Sequence, residues 1–197
     1  PQQIHEQMVK THGGPKLVGH VSRDATAIEA PERPAPKPAP TTPPAARKRG
    51  RPKHGEVRPP APPKRLELQP ARTRAENLAD LPARCDVGCK RNSQGHQESW
   101  IGSKLHLDTV DGDFPVSAVL TSASVHDSQV AIPLAQLTAQ RVTSLYDLMD
   151  SAYDAPQIHA FSRALGHVPI IDPNPRGGEK LPLAPAQAQR FKERSAS

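Results

Sequence analysis

Two aspartates each close a short apolar run, and they are the first places to look for chemistry. Leu145-Tyr146-Asp147-Leu148-Met149 has strand length and stops on Asp150. Leu17-Val18-Gly19-His20-Val21-Ser22-Arg23 likewise reaches Asp24. A carboxylate at the C-terminal end of a buried strand lies on the edge where open α/β sheets bind ligands. A lone Asp in such a place can equally do no more than cap a turn.

The elements that must hold these residues can be read from their periods. After Asp150, Asp154 is placed to cap a helix with Pro156 in its first turn. Ile158, Phe161 and Leu165 fall on one face of that helix before Gly166 ends it, and Val168–Ile171 reads as a short strand. Upstream, Ile101, Ser103, Leu105 and Leu107 alternate with Gly102, Lys104, His106 and Asp108, the period of a strand. Asp111-Gly112 marks a tight turn, and Val116, Ala118 and Leu120 alternate on the way back, giving a β-hairpin. Asp127 is placed to start a helix through Leu137, inside which Pro133 is awkward. Lys90 to Gly95 reads as a polar turn, and Ala184 to Ser197 is helix-prone.

Composition restricts how much of the chain builds a core. Aromatic residues are 3% of the 197 residues, and 14 of the 24 prolines fall in residues 31–84. That stretch carries 13 Lys and Arg against 5 Asp and Glu, so its charge is +8 and the remainder of the chain is at −2. The basic character is local, as in an arm that contacts nucleic acid. Prolines from Pro31 to about Pro70 argue against regular structure there, and Leu78 and Leu81 give only a weak helical pattern after it. Residues 1–16 read as a fraying helix and loop, the tail of an upstream region. No leader peptide and no apolar run of bilayer length is evident, which predicts a cytoplasmic protein with no membrane partner. Cys85 and Cys89, even with His96 and His106 nearby, do not form a recognised zinc spacing, so reduced, incidental thiols are expected.

The segment from Cys85 to Asp172 resembles the catalytic core of DDE transposases from bacterial insertion sequences. The likeness is carried by Glu98-Ser99-Trp100-Ile101-Gly102, Lys104-Leu105-His106-Leu107-Asp108, Leu120-Thr121-Ser122-Ala123-Ser124 and His126-Asp127-Ser128. It continues through Asp147-Leu148-Met149-Asp150, Tyr153-Asp154 and Gly166 to Asp172. Asp24-Ala25-Thr26-Ala27-Ile28-Glu29-Ala30 resembles the first catalytic Asp motif of the same family, with Ala25 where Ser or Gly is usual.

The resemblance implies an α/β fold: a ribonuclease-H-like mixed sheet with flanking helices, interrupted by a long, disordered, Pro-rich basic insertion. Residues 17–30 would supply the first strand, 31–84 the insertion and 85–197 the rest of the core. It also implies a pair of Mg²⁺ or Mn²⁺ ions held by two Asp and one Glu, activating water or a DNA 3′-hydroxyl against a phosphodiester. Carried over by motif, the first Asp is Asp24 and the second Asp150, with Asp86 the rival to Asp24. Asp127, Asp147 and Asp154 are expected to be structural, and Asp108 to lie on a strand without binding metal.

The family's third carboxylate follows a Tyr-x-x-Arg pattern, met here by Phe191 and Arg194, after which only Ser195, Ala196 and Ser197 remain. Glu193 is a poor substitute, and Glu179 or Glu193 would come into question only if the chain as given proved active. The expectation is a truncated fragment, inactive alone, of a nucleoid-associated bacterial transposase that acts on transposon ends and target DNA, as an oligomer when complete. Within the insertion, Arg47, Lys48, Arg49, Arg51 and Lys53 lie in and around an Arg-Gly-Arg-Pro core that resembles an AT-hook, an arm for the minor groove of A·T-rich DNA. A solvated basic linker is the alternative for that stretch. For the whole chain the alternatives are a non-catalytic DNA-binding protein and a metal-dependent nuclease of the same fold.

Overall fold

A computed structural model describes residues 7–9, 11, 17–34, 36, 54, 62–91 and 96–175. The AT-hook-like residues 47–53, Glu179, Phe191, Glu193 and Arg194 lie outside the described residues.

The sheet is built on β1 (Leu17–Glu29), which pairs antiparallel with β3 (Gln97–Val110) on one side and parallel with β5 (Thr143–Met149) on the other. Strand β6 (Val168–Ile171) continues the parallel side. The outer edge of β3 is shared by two partners. Strand β2 (Asp86–Arg91) takes residues 97–102 and β4 (Phe114–Ser122) takes residues 103–110. The result is the mixed α/β, ribonuclease-H-like sheet that the sequence predicts. The β3–β4 hairpin turns at Gly112 and Asp113, both at positive φ, which Gly adopts without strain.

One face of this sheet is covered by helices. Helix α3 (Ser128–Thr138) crosses it, burying Val130, Ala131, Ile132, Leu134 and Leu137. Helix α4 (Pro156–Ala164) packs beside it through Ile158, against Ala131, Met149 and Tyr153. On the opposite face, among the described residues, Leu120, Tyr146, Val168 and Ile170 stay exposed.

Three regions depart from the sequence reading. Residues 65–79 lie where the prolines argued against structure or left only a weak helical pattern, yet they form α1 (Arg65–Leu68), a 3₁₀ turn (Gln69–Ala71) and α2 (Arg74–Ala79). Pro70 sits in the second position of the 3₁₀ turn, where its missing N–H costs nothing. Thr73 and Glu76 form a reciprocal capping box at the start of α2. Leu66 and Leu78 then pack against the clusters that α3 builds.

The second departure is Val9, which is fully buried with Val21, Val116 and Val142, so part of residues 1–16 belongs to the core. The third is β2, which runs on through Lys90 and Arg91, where the sequence reads as a polar turn. Gly88 permits it, because a Cβ there would stand 2.5 Å from the Trp100 ring. Helix α3 also runs through Pro133 without stopping.

Candidate functional site

The position of Asp24 follows from register. Arg23 pairs with Met149 as the last pair of the parallel β1–β5 ladder, so Asp24 on β1 and Asp150, the residue just past β5, each follow that pair directly. Paired strands lie about 4.8 Å apart. Strand β5 stops here, whereas β1 continues to Glu29 paired with β3. Asp24 therefore closes the apolar run but lies near the middle of the strand, in keeping with residues 17–30 as the first strand. It sits where the pairing with β5 gives out.

Each carboxylate has a local partner. Oδ1 of Asp24 accepts from the backbone N–H of Ala25 at 2.7 Å. Oδ1 of Asp150 accepts from Ala152 N at 2.9 Å and so caps the 3₁₀ turn Ser151–Tyr153. The turn-capping role is thus real for Asp150, but a carboxylate has acceptor sites left for a cation.

Negative charge gathers at this edge. Met149 pairs with Ile171, so Asp150 and Asp172 each directly follow that pair. Burial pushes the Asp150 carboxyl above its ordinary value; the N–H of Ala152 opposes this, and the charges of Asp127, Asp24 and Asp172 add to it. Asp172 was legible in principle, since Val168–Ile171 is a further apolar run that stops on Asp. The Tyr153 hydroxyl lies beneath, buried and without a hydrogen-bond partner. Burial raises its pKa, and the negative charge of Asp127 raises it further.

The rival acids separate from this pair. Asp86 opens β2 opposite Gly102, whereas Asp24 faces Leu107 on the other side of β3. Five residues along a strand are about 17 Å, so Asp86 stands far from Asp150. Asp127 occupies the N-cap position of α3 but makes no capping bond, contrary to its predicted role. Its backbone is already helical, and its carboxylate takes the Lys104 ammonium at 2.9 Å instead. Asp154 does not cap α4 either, because Ala155 holds that position. It accepts from His159 at 3.0 Å and from Asn174 N at 2.8 Å, tying the segment after β6 to the turn after β5.

Asp147 is structural, as expected. It is buried and accepts from Ser162 Oγ and from His167 Nδ1, which fastens α4 and the approach to β6 onto β5. Asp108 lies inside β3, buried and bonded to Arg23.

Asp24 and Asp150 fit a hard divalent cation as part of a donor set. They are oxygen donors on one sheet edge, in a field of further carboxylates that opposes Asp150's own ionisation. They do not form a closed cage. Among the described residues, no group of three or more His, Cys, Asp or Glu is assembled to hold a metal. Nor, among those residues, is any helix long and apolar enough to cross a membrane.

Comparison with known proteins gives one result. A family model described as "Transposase DDE domain" matches residues 20–194, most of the chain. No curated protein and no solved structure matches.

Proposed function

Because the chain belongs to the transposase DDE-domain family, we propose that Asp24 and Asp150 hold divalent Mg²⁺ or Mn²⁺ for cleavage and strand transfer at insertion-sequence ends. The observation that carries the reading is the register that places these two carboxylates directly after the last β1–β5 pair. When bound, paired ions would lower the pKa of an attacking water or 3′-hydroxyl and stabilise the leaving oxygen. Asp24 and Asp150 each contribute an anionic oxygen and fix where that phosphate must sit. Tyr153 and Met149 close the helix-side floor below them and exclude water from it.

Two carboxylates are an incomplete set for two ions. Mg²⁺ dehydrates reluctantly, and the family's third carboxylate would help to retain the second ion. Among the described residues no third acid is assembled with this pair, and we propose, from the family's pattern, that the 197-residue chain alone is inactive in strand transfer. The test compares it with a chain extended by a family-like segment that begins with Glu, using end-containing DNA and Mn²⁺. Strand transfer by the extended chain alone, abolished by Asp24→Asn or Asp150→Asn, is the expected result. Equal transfer by both chains would bring Glu179 or Glu193 forward as the missing ligand. Cleavage without joining by the extended chain would favour the nuclease reading.

The DNA partner is met in part by the +8 segment of residues 31–84. We assign Arg47, Lys48, Arg49, Arg51 and Lys53 to the minor groove and Arg194 to a phosphate. A peptide spanning residues 45–60 should bind duplex weakly, lose affinity steeply with salt, and prefer A·T-rich DNA until Arg49 and Arg51 become Ala. Equal binding to G·C and A·T duplexes would leave only a basic linker. DNA binding by the arm, together with no strand transfer by the extended chain, would favour the non-catalytic reading.

A further inference from the structure

Directly behind the two carboxylates, on the helix-covered face, lies a buried ion pair. Arg23 is 5% exposed and Asp108 is fully buried. Arg23 Nε donates to Asp108 Oδ1 and Nη2 to Oδ2, each at 2.7 Å, a two-point fork between cross-strand partners of β1 and β3. Thr138 of α3 donates its hydroxyl to the same Oδ2 at 2.6 Å. The remaining terminal nitrogen, Nη1, reaches Met149 Sδ at 3.6 Å on β5.

We propose that the Arg23–Asp108 pair is a positioning device that fixes the separation and facing of Asp24 and Asp150. This rests on the reading of those two as metal-holding. Arg23 immediately precedes Asp24, and Met149 immediately precedes Asp150. One guanidinium therefore touches the three strands that meet behind the site, and through Asp108 it engages α3.

The fork selects register. A slip of one residue between β1 and β3 would carry Asp24 about 3.4 Å along and turn it onto the helix face. It would also leave a buried charge without its partner. An apolar pair of similar volume would fill the space equally well, and buried ion pairs seldom add stability over such a pair. What the apolar pair lacks is direction, because it tolerates small displacements that a bidentate fork does not.

The experiment is Mn²⁺ binding to the 197-residue chain, followed by electron paramagnetic resonance alongside thermal melting. The variants are Arg23→Met/Asp108→Leu, Arg23→Lys and the control Asp24→Asn/Asp150→Asn. The apolar pair should leave the melting temperature equal or higher while weakening Mn²⁺ binding about tenfold and broadening the bound-ion spectrum. Arg23→Lys keeps the charge but loses the fork, and should weaken binding about threefold. A folded Arg23→Met/Asp108→Leu protein with wild-type affinity and spectrum overturns the inference while leaving the metal site standing. If that pair does not fold, unchanged affinity in Arg23→Lys overturns it instead. Wild-type Mn²⁺ binding by Asp24→Asn/Asp150→Asn overturns the metal reading, and the positioning role falls with it.

Discussion

Gln69 donates from Nε2 to the backbone carbonyl of Gln129 at 2.6 Å, the oxygen that Pro133 leaves without a helical donor. Gln69 is fully buried, and its backbone carbonyl accepts from Asn77 Nδ2, which also donates to Gln136 of α3. The α1–α2 segment thus repairs α3 at its weakest point. Replacing Gln69 by Leu takes this donor from the part-buried Gln129 oxygen, which should cost about 1 kcal/mol in urea unfolding. Adding Pro133→Ala restores a helical donor to that oxygen, so the double variant should recover most of the loss. Simple additivity of the two substitutions would refute the link.

His106 predicts a pH dependence. Its Nε2 bonds Thr121 Oγ1 at 2.9 Å, and its buried Nδ1 has no hydrogen-bond partner. Burial lowers its pKa from 6.5 to about 4; Asp127 pulls it upward and Lys104 pushes it down. A histidine depressed by folding stabilises the fold fully above pH 6.5. That contribution falls as pH drops from 6.5 through 4, because only the unfolded chain takes up the proton. Over that window the loss is roughly 3 kcal/mol. The difference in stability between wild type and His106→Gln, measured from pH 8 to 4, should therefore shrink as the solution is acidified. A difference that stays flat would show that His106 does not titrate in this way.

For Asp150 the sign is reversed. Its carboxyl is held above the ordinary value, so the folded chain prefers it neutral, and stability declines as pH rises through the raised pKa. Asn keeps the acceptor for Ala152 and removes the charge. In metal-free buffer at pH 7, Asp150→Asn should melt slightly higher than the wild type, because it removes a charge that the fold disfavours. Saturating Mn²⁺ should raise the melting temperature of the wild type and leave the variant unmoved. EDTA should abolish the wild-type gain.

Gly102 and Gly112 should answer substitution differently. At Gly102, φ is +154° and a Cβ would stand 2.0 Å from the Ile28 carbonyl oxygen. Ala there must push β1 away from β3, at a cost of about 3 kcal/mol or more. Gly112 also has positive φ, but nothing lies within 4 Å of an added Cβ. Gly112→Ala should cost only the backbone term, about 1–2 kcal/mol. Equal losses for the two would contradict the close approach at Gly102.

The sheet was largely legible because β1, β3, β4, β5 and β6 carry local patterns. Their faces were less so. In β3 the alternating Ile101, Ser103, Leu105 and Leu107 mark a strand, yet its fully buried residues are His106 and Asp108. Polar side chains that satisfy one another across strands leave no apolar trace. Helices α1 and α2 were hidden for a related reason. They depend on partners about sixty residues away, such as Gln129 for Gln69 and Gln136 for Asn77. Asp24 and Asp150 can be singled out from the chain, but their proximity follows from the β1–β5 register, which no single strand encodes.

The place of β1 between β3 and β5 also governs the order in which the chain can assemble. Arg23 meets Asp108 across 85 residues and Met149 across 126, whereas the β3–β4 hairpin closes over a short turn. Loop closure over such spans costs entropy before any contact repays it, so β1 should insert late. Until it does, the inner edges of β3 and β5 stand unpaired and open to other chains. Refolding should accordingly be slow, on the scale of milliseconds to seconds. Its yield should fall with protein concentration, as unpaired edges find partners in neighbouring molecules before β1 arrives.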